Sequence, residues 1–167
     1  TLGSNRRKIL FPYFNFPYNQ IPEFKTIYRP HGFWEFQPLI PRSAGIEAIE
    51  DLFRLFQRYG CSPPLCGVKA HSRDNSMISY SNDGYSIGGM FPVKGKNLEN
   101  VGAFARAVCE YTMECGGQIY LAKDELLPRD IFLKMYPRFQ EFLDVKQQVD
   151  STELFASDMY RRLLKPN

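Results

Sequence analysis

The chain has 167 residues, about one domain, with 21 basic and 18 acidic side chains and a net charge of +3. Basic residues are mostly scattered, which gives no support for nucleic-acid binding, and no apolar run reaches the ~20 residues of a membrane span. Four cysteines and two histidines match no zinc-binding spacing. The composition predicts a soluble, cytoplasmic protein with reduced thiols and no metal, and its 15% aromatic content favours a large pocket or a buried interface.

The first half of the chain predicts a lead-in, a strand and a helix. Residues 1–31 carry four prolines and many aromatic residues without a helical period, which is typical of an irregular segment. From Gly32, the run GFWEFQPLIP alternates as a strand does, with Pro38 marking an edge or a bulge. Apolar residues at helical spacing then predict a helix over 44–59, which Gly60 ends.

The next part of the chain repeats this order. A short strand over 65–70 is followed by a polar loop and by the strand YSIGGMFPVK, with a bulge at its two glycines. A second helix ends at Gly116-Gly117, and a last strand runs from Gln118 to Ala122. The order β-α-β-β-α-β over residues 32–122 predicts an α+β fold of the ferredoxin-like type, with two helices on one face of an antiparallel sheet. The other face is left for an interface or a ligand pocket.

The last 45 residues, 123–167, read as short helices broken at prolines. A ferredoxin-like sheet does not need such a tail, so we expect it to pack on another domain that is missing here. Without that domain, the tail should expose aromatic residues and self-associate as a homo-oligomer. The residues expected to be exposed are Phe132, Phe139, Phe142 and Phe155.

Lys123 directly follows the last apolar strand and is the strongest candidate for chemistry. It either pairs at the surface with Asp124 or Glu125, or it stands in a cleft and donates to a substrate hydroxyl. Other polar residues share strand faces through i, i+2 spacing, namely Glu35 with Gln37 and Lys69 with His71. The sequence contains no GxGxxG, GxSxG or HExxH motif, so the chain by itself supplies no cofactor site.

Several segments together resemble a known family: FWEFQPLIP, LCGVKAHS, YSIGGMFPVK, GGQIYLAKDELLPRDIFLKMYPRF and VDSTELFASDMYRRL. They are similar to the C-terminal part of FAD-linked oxidoreductases of the vanillyl-alcohol oxidase type, especially those acting on a polyprenyl-linked sugar, and more distantly to sugar-lactone oxidases. In this family an N-terminal domain binds FAD, a cap domain carries the substrate, and the C-terminal tail returns to the FAD-binding domain. The resemblance implies that residues 1–31 and 32–122 form the cap and that 123–167 pack on an FAD-binding domain absent from this chain.

The resemblance also implies roles for individual residues. Lys123 matches the active-site lysine near the flavin, and Tyr120 lies beside it. Lys69 and Gln37 match pocket residues. The sequence departs from the family pattern at four further pocket positions, where Glu35 and Ser86 replace amides, His71 replaces an aromatic residue and Gly88 replaces a cysteine. Of these four, Glu35, Ser86 and His71 remain candidates for substrate binding.

The function implied is oxidation of a sugar or alcohol hydroxyl to a ketone by hydride transfer to FAD. FAD would belong to the whole protein, and this chain alone would be inactive. The alternatives are a sugar-lactone oxidase, a flavin-dependent double-bond reductase, and a non-catalytic ferredoxin-like binding module.

Overall fold

The computed structural model describes residues 8–93 and 96–165. The chain divides into two compact units, 1–32 and 33–167. The domain boundaries expected at residues 32 and 123 stay predictions. In the first unit, α1 (Phe11–Asn15) is followed by 3-10 turns at Pro17–Gln20 and Phe24–Tyr28. This lead-in is built of short helical turns, because prolines are favoured in the first turn of a helix but stop its continuation. Residues 1–7 of the predicted lead-in lie outside the described residues.

The second unit is built on one antiparallel sheet. Its strands are β1 (Phe33–Phe36), β2 (Pro38–Pro41), β3 (Cys66–His71), β4 (Gly84–Pro92) and β5 (Gln118–Ile119). β4 pairs with β3 on one side and with both β1 and β2 on the other, and β2 pairs also with β5. The predicted α+β, ferredoxin-like arrangement is confirmed.

β1 and β2 form one strand that is interrupted at Gln37. The register along β4 continues unchanged across the break, from Phe36 opposite Gly89 to Leu39 opposite Ser86. The residue after the break is a proline, which has no N–H to donate to a neighbouring strand. The position is therefore a break inside a strand flanked by β4 and β5, and not an edge.

Two helices cover one face of the sheet, α2 (Gly45–Arg58) and α3 (Lys96–Glu114). Each is followed by a glycine with positive φ, Gly60 at 64° and Gly116 at 74°. After each helix, the N–H groups of this glycine and of the residue that follows it donate to carbonyls of the last helical turn, as in a Schellman motif. Both predicted helix stops are confirmed.

The core lies between these helices and the sheet. It contains Phe36, Ile40, Ile87 and Phe91 from the strands and Leu52, Phe56, Phe104 and Val108 from the helices. Phe56 meets Phe91 and Phe104 edge-on, with ring centroids 5.3 and 5.7 Å away. Because side chains alternate along a strand, the residues between these core positions face the opposite side of the sheet.

The last strand is shorter than predicted. β5 ends at Ile119, and a 3-10 turn follows at Leu121–Lys123. The turn closes because the N–H of Lys123 donates to the carbonyl of Tyr120 at 3.0 Å. Lys123 therefore ends a tight turn and not a strand. The alternation of side chains along the strand does not decide which side of the sheet its side chain faces.

The tail consists of α4 (Arg129–Met135), α5 (Phe139–Val149) and a π-helical turn (Tyr160–Leu164). None of the described helices combines the length and apolarity needed to cross a bilayer.

The predicted exposure of the tail is only partly right. Phe132 is fully buried and stacks on Tyr136 with ring centroids 5.2 Å apart, because α4 packs into the main core. Phe139 and Phe142 are half-buried against the same core. Phe155 is 79% exposed, as predicted.

Candidate functional site

Five predicted site residues point to the side of the sheet that α2 and α3 leave uncovered. Glu35 and Gln37 flank the core residue Phe36, and Lys69 stands directly opposite Ser86 in the β3–β4 pairing. His71 is two residues beyond Lys69 in the same strand. Side chains directly opposite in an antiparallel pair share a face, so these residues lie together. We call this side of the sheet the open face.

Lys123 reaches the open face through an ion pair with Glu35. Its Nζ donates to Glu35 Oε1 at 2.5 Å, and the two side chains are 29% and 33% exposed. Of the alternatives for Lys123, pairing with Asp124 or Glu125 is wrong, since the lysine pairs with Glu35 and the Asp124 carboxylate binds Arg162. Residues 88 positions apart are thus joined at one point.

Asp124 fixes the segment that carries Lys123. Its buried carboxylate accepts the backbone N–H groups of Leu126 at 2.9 Å and Leu127 at 2.6 Å, and it pairs with Arg162 at 2.7 Å. The same guanidinium donates to the carbonyl of Leu127 at 2.5 Å. The two most specific motifs of the sequence, YLAKD and FASDMYRRL, therefore meet through Asp124 and Arg162. Sequence reasoning missed this pair, although both residues stand inside the quoted motifs.

A second group on the open face is a buried hydrogen-bonded chain. Gln37 Nε2 donates to Ser86 Oγ at 3.1 Å, and Ser86 Oγ lies 2.8 Å from His71 Nε2. Burial, and secondly the charge of Lys69, lower the pKa of His71, so its ring is neutral at pH 7. A neutral ring has one donor and one acceptor nitrogen, so the tautomer of His71 sets which of Nε2 and the Ser86 hydroxyl donates in this bond.

The glycine at position 88 makes room for this chain. A Cβ added to Gly88 would lie 3.1 Å from Gln37 Oε1, closer than side chains normally approach. Any larger residue there, such as the cysteine that the family resemblance implies for this position, would press on the Gln37 amide. The departure at Gly88 thus fits the position that Gln37 takes.

Tyr80 was not predicted as a site residue, yet it contacts three of them. Its ring centroid lies 4.7 Å from that of Tyr120 and 5.4 Å from that of His71, and its hydroxyl donates to the carbonyl of Gln37 at 3.1 Å. Burial raises its pKa to about 12. The one available signal in the sequence is that Tyr80 is the single aromatic residue of a mostly polar loop.

A cavity of about 350 Å³ approaches the Glu35–Lys123 pair from the helix-covered side of the sheet. Its walls include the aromatic residues Trp34, Phe36 and Phe104. Within residues 8–93 and 96–165, no three His, Cys, Asp or Glu side chains converge as metal ligands. All four cysteines, which lie within these ranges, are free thiols.

No protein-family model matches the chain. Over 163 residues the chain is 31% identical to the decaprenylphosphoryl-β-D-ribose oxidase of Mycolicibacterium smegmatis, and the similarity covers 96% of the chain. The chain spans 34% of the length of that oxidase and corresponds to its C-terminal part. The resemblance to FAD-linked oxidases that the motifs indicated is confirmed.

Proposed function

Taking that resemblance as the premise, we propose that the chain is the substrate-facing and C-terminal part of an FAD-dependent oxidoreductase. The whole protein would oxidise a hydroxyl of a sugar or alcohol to a ketone, and this chain alone would be inactive. The observation that carries the proposal is the partly exposed Glu35–Lys123 ion pair, which lines a cavity with aromatic walls. An ammonium and a carboxylate at one point can hold an alcohol and take its proton.

The residues present fit one edge of a flavin. The cavity of about 350 Å³ combines aromatic walls with the partly exposed ammonium of Lys123. The sequence has no glycine-rich phosphate loop, so the cofactor's phosphates would be held by the FAD-binding domain. When bound, FAD supplies the hydride acceptor.

The residues of the open face orient the substrate and handle its proton. Lys123 donates a hydrogen bond to the carbinol oxygen and stabilises the negative charge that develops there as the C–H bond breaks. Glu35 keeps the ammonium in position and accepts the hydroxyl proton. Tyr120 bounds the site, and Lys69 adds a second positive charge for a polar or anionic group of the substrate. Direct contact of Gln37, Ser86 and His71 with the substrate stays a prediction.

The tail offers a surface for the FAD-binding domain. Val149, Leu154 and Phe155 are 78–79% exposed and border an apolar groove of about 860 Å³. The turn that presents them is held firmly, because Asp150 accepts the N–H groups of Leu154 and Phe155 and pairs with the mostly buried Lys146. A rigid apolar surface of this kind loses little conformational entropy on docking. We therefore assign it to the missing domain, and self-association of the chain follows when that domain is absent.

The test is an anaerobic titration of the full-length protein, followed through the visible absorption of its flavin. Bleaching by a sugar alcohol, an aldose or a polyprenyl-linked sugar supports the proposal and identifies the substrate class. Bleaching only by a sugar lactone, or reoxidation only by an activated double bond, would favour one of the two enzymatic alternatives. A protein that cannot be loaded with FAD would rule the proposal out and favour the binding module.

A further inference from the structure

Tyr80 lies across part of the open face. Its ring packs between His71 and Tyr120, at 5.4 and 4.7 Å between centroids, and its hydroxyl donates to the carbonyl of Gln37. The side chains of Ser86 and Gln37 lower the pKa of the same hydroxyl against the larger effect of burial, so it lies near both residues. Tyr80 thus contacts every member of the buried chain.

The residues beneath Tyr80 are sealed from solvent. Ser86 is 0% exposed and Gln37 is 4% exposed, although both are polar. Gln37 Nε2 donates to Ser86 Oγ, and Ser86 Oγ is also bonded to His71 Nε2. By contrast, the side chains of Glu35 and Lys123 remain 33% and 29% exposed on the same face. The open face therefore has a covered group, in which Gln37 and Ser86 are buried and His71 is half-buried, and an accessible pair (Glu35, Lys123).

The loop over residues 72–83 holds Tyr80 in this position. Ser81 donates its N–H to Ser79 Oγ at 2.9 Å, immediately beside Tyr80. Asp74 donates its N–H to the carbonyl of Ser81 at 3.2 Å, which closes the loop on itself. Arg138 of the tail donates to the carbonyl of Asn75 at 2.8 Å. The ring is thus anchored from within the loop and from the tail.

We infer that Tyr80 is a specificity-determining residue that sets the inner boundary of the substrate site. Only a polar group that fits between its ring and the Glu35–Lys123 pair is then accepted. The covered group then positions Tyr80, and a substrate meets the ring before it can reach Gln37 or Ser86. The inference rests on the proposed function for the nature of the substrate. The covering itself rests only on geometry.

Accessibility tests the covering without any turnover. Ser86→Cys in the full-length holoenzyme places a thiol under the ring, and a small methanethiosulfonate reagent with peptide mapping measures its rate of modification. We expect Tyr80→Ala to raise this rate by about tenfold or more, as for opening of a protected site, and Tyr80→Phe to change it little because the ring remains. Tyr85→Ala is the matched control, since Tyr85 is the neighbour of Ser86 in β4 and faces the other side of the sheet.

Substrate preference tests the role in specificity. Tyr80→Ala should shift kcat/KM toward a sugar that carries an additional hydroxymethyl group, by about tenfold relative to the compact sugar, whereas Tyr80→Phe keeps the wild-type preference. Equal labelling of Ser86→Cys in all backgrounds, or an unchanged preference in an active Tyr80→Ala enzyme, would overturn the inference. If the wild-type protein oxidises no sugar or alcohol, the proposed function fails, and the labelling ratio alone then decides whether Tyr80 covers the site.

Discussion

Replacing Lys123 with methionine separates the chemistry of the open face from its stability. The substitution removes one ammonium and keeps most of the side-chain volume. The Lys123–Glu35 pair joins atoms 2.5 Å apart, but both side chains are about one-third exposed, so water screens the pair. Exposed pairs of this kind contribute roughly 0.2–1 kcal/mol to the free energy of unfolding. The loss of stability should therefore stay within about 1 kcal/mol.

The expected loss of activity is much larger. A hydrogen-bond donor aimed at charge that develops in the transition state is worth about 10²–10³ in rate. The rate of flavin reduction by the substrate in a single anaerobic turnover should fall by this factor in Lys123→Met, while the midpoint of denaturant unfolding moves only slightly. Full-length protein is required for both measurements.

Lys165 provides a matched control. It pairs with Glu153 at 2.7 Å, and the two side chains are 49% and 31% exposed, so the same ammonium is lost from a similar pair in the tail. Lys165→Met should lower stability by a comparable amount and leave flavin reduction unchanged. Equal rates of flavin reduction in Lys123→Met and the wild type would refute the assigned role, as would a loss of activity that Lys165→Met reproduces.

Three further outcomes are expected. Asp124→Asn leaves the guanidinium of Arg162 without its carboxylate partner. Because that guanidinium is 33% exposed, we expect the free energy of unfolding to fall by about 2–3 kcal/mol in denaturant unfolding, against ~3–5 kcal/mol for a fully buried pair. A loss below roughly half a kcal/mol, as for a surface pair, would contradict the structural role of the Asp124–Arg162 pair. Phe155→Ser should reduce self-association of the chain in light scattering, and an unchanged mass at high concentration would count against an apolar docking surface. The pKa of His71 is lowered in the folded state, so as the pH falls His71 becomes protonated in the unfolded chain before it does so in the folded protein. The contribution of His71 to stability should therefore be constant above about pH 6.5 and should fall as the pH drops below it. Lys69→Met should flatten this fall in pH-dependent unfolding, and an unchanged slope would exclude the charge of Lys69 as a cause.

Much of the sheet and both long helices could be predicted because their signals are local. Gly60 and Gly116 mark helix ends through backbone conformations that few other residues adopt, and alternation in the strands identifies which side chains share a face. The sequence predicts a last strand that reaches Ala122, three residues beyond its observed end at Ile119, because an apolar run does not show where pairing stops. The strand ends where the chain turns at Tyr120.

The partners of the site residues could not be predicted, since they depend on contacts across long stretches of chain. Glu35 and Lys123 are separated by 88 positions, and no local pattern distinguishes this pair from pairing of the lysine with an adjacent acid. The burial of Phe132 is a similar case, because the tail packs on the helix-covered core instead of leaving that ring exposed. The resemblance to a known family indicated which residues belong to the site, but not that Tyr80 lies over them.

The break between β1 and β2 leaves one carbonyl serving two parts of the molecule. The carbonyl oxygen of Gln37 accepts the N–H of Tyr120 at 3.1 Å and the hydroxyl of Tyr80 at 3.1 Å, one for each lone pair. The turn that leads to Lys123 and the loop that carries Tyr80 therefore share this carbonyl as an acceptor, and they also meet through the rings of Tyr120 and Tyr80. A substitution that displaces the Gln37 backbone would therefore disturb both the turn before Lys123 and the position of Tyr80.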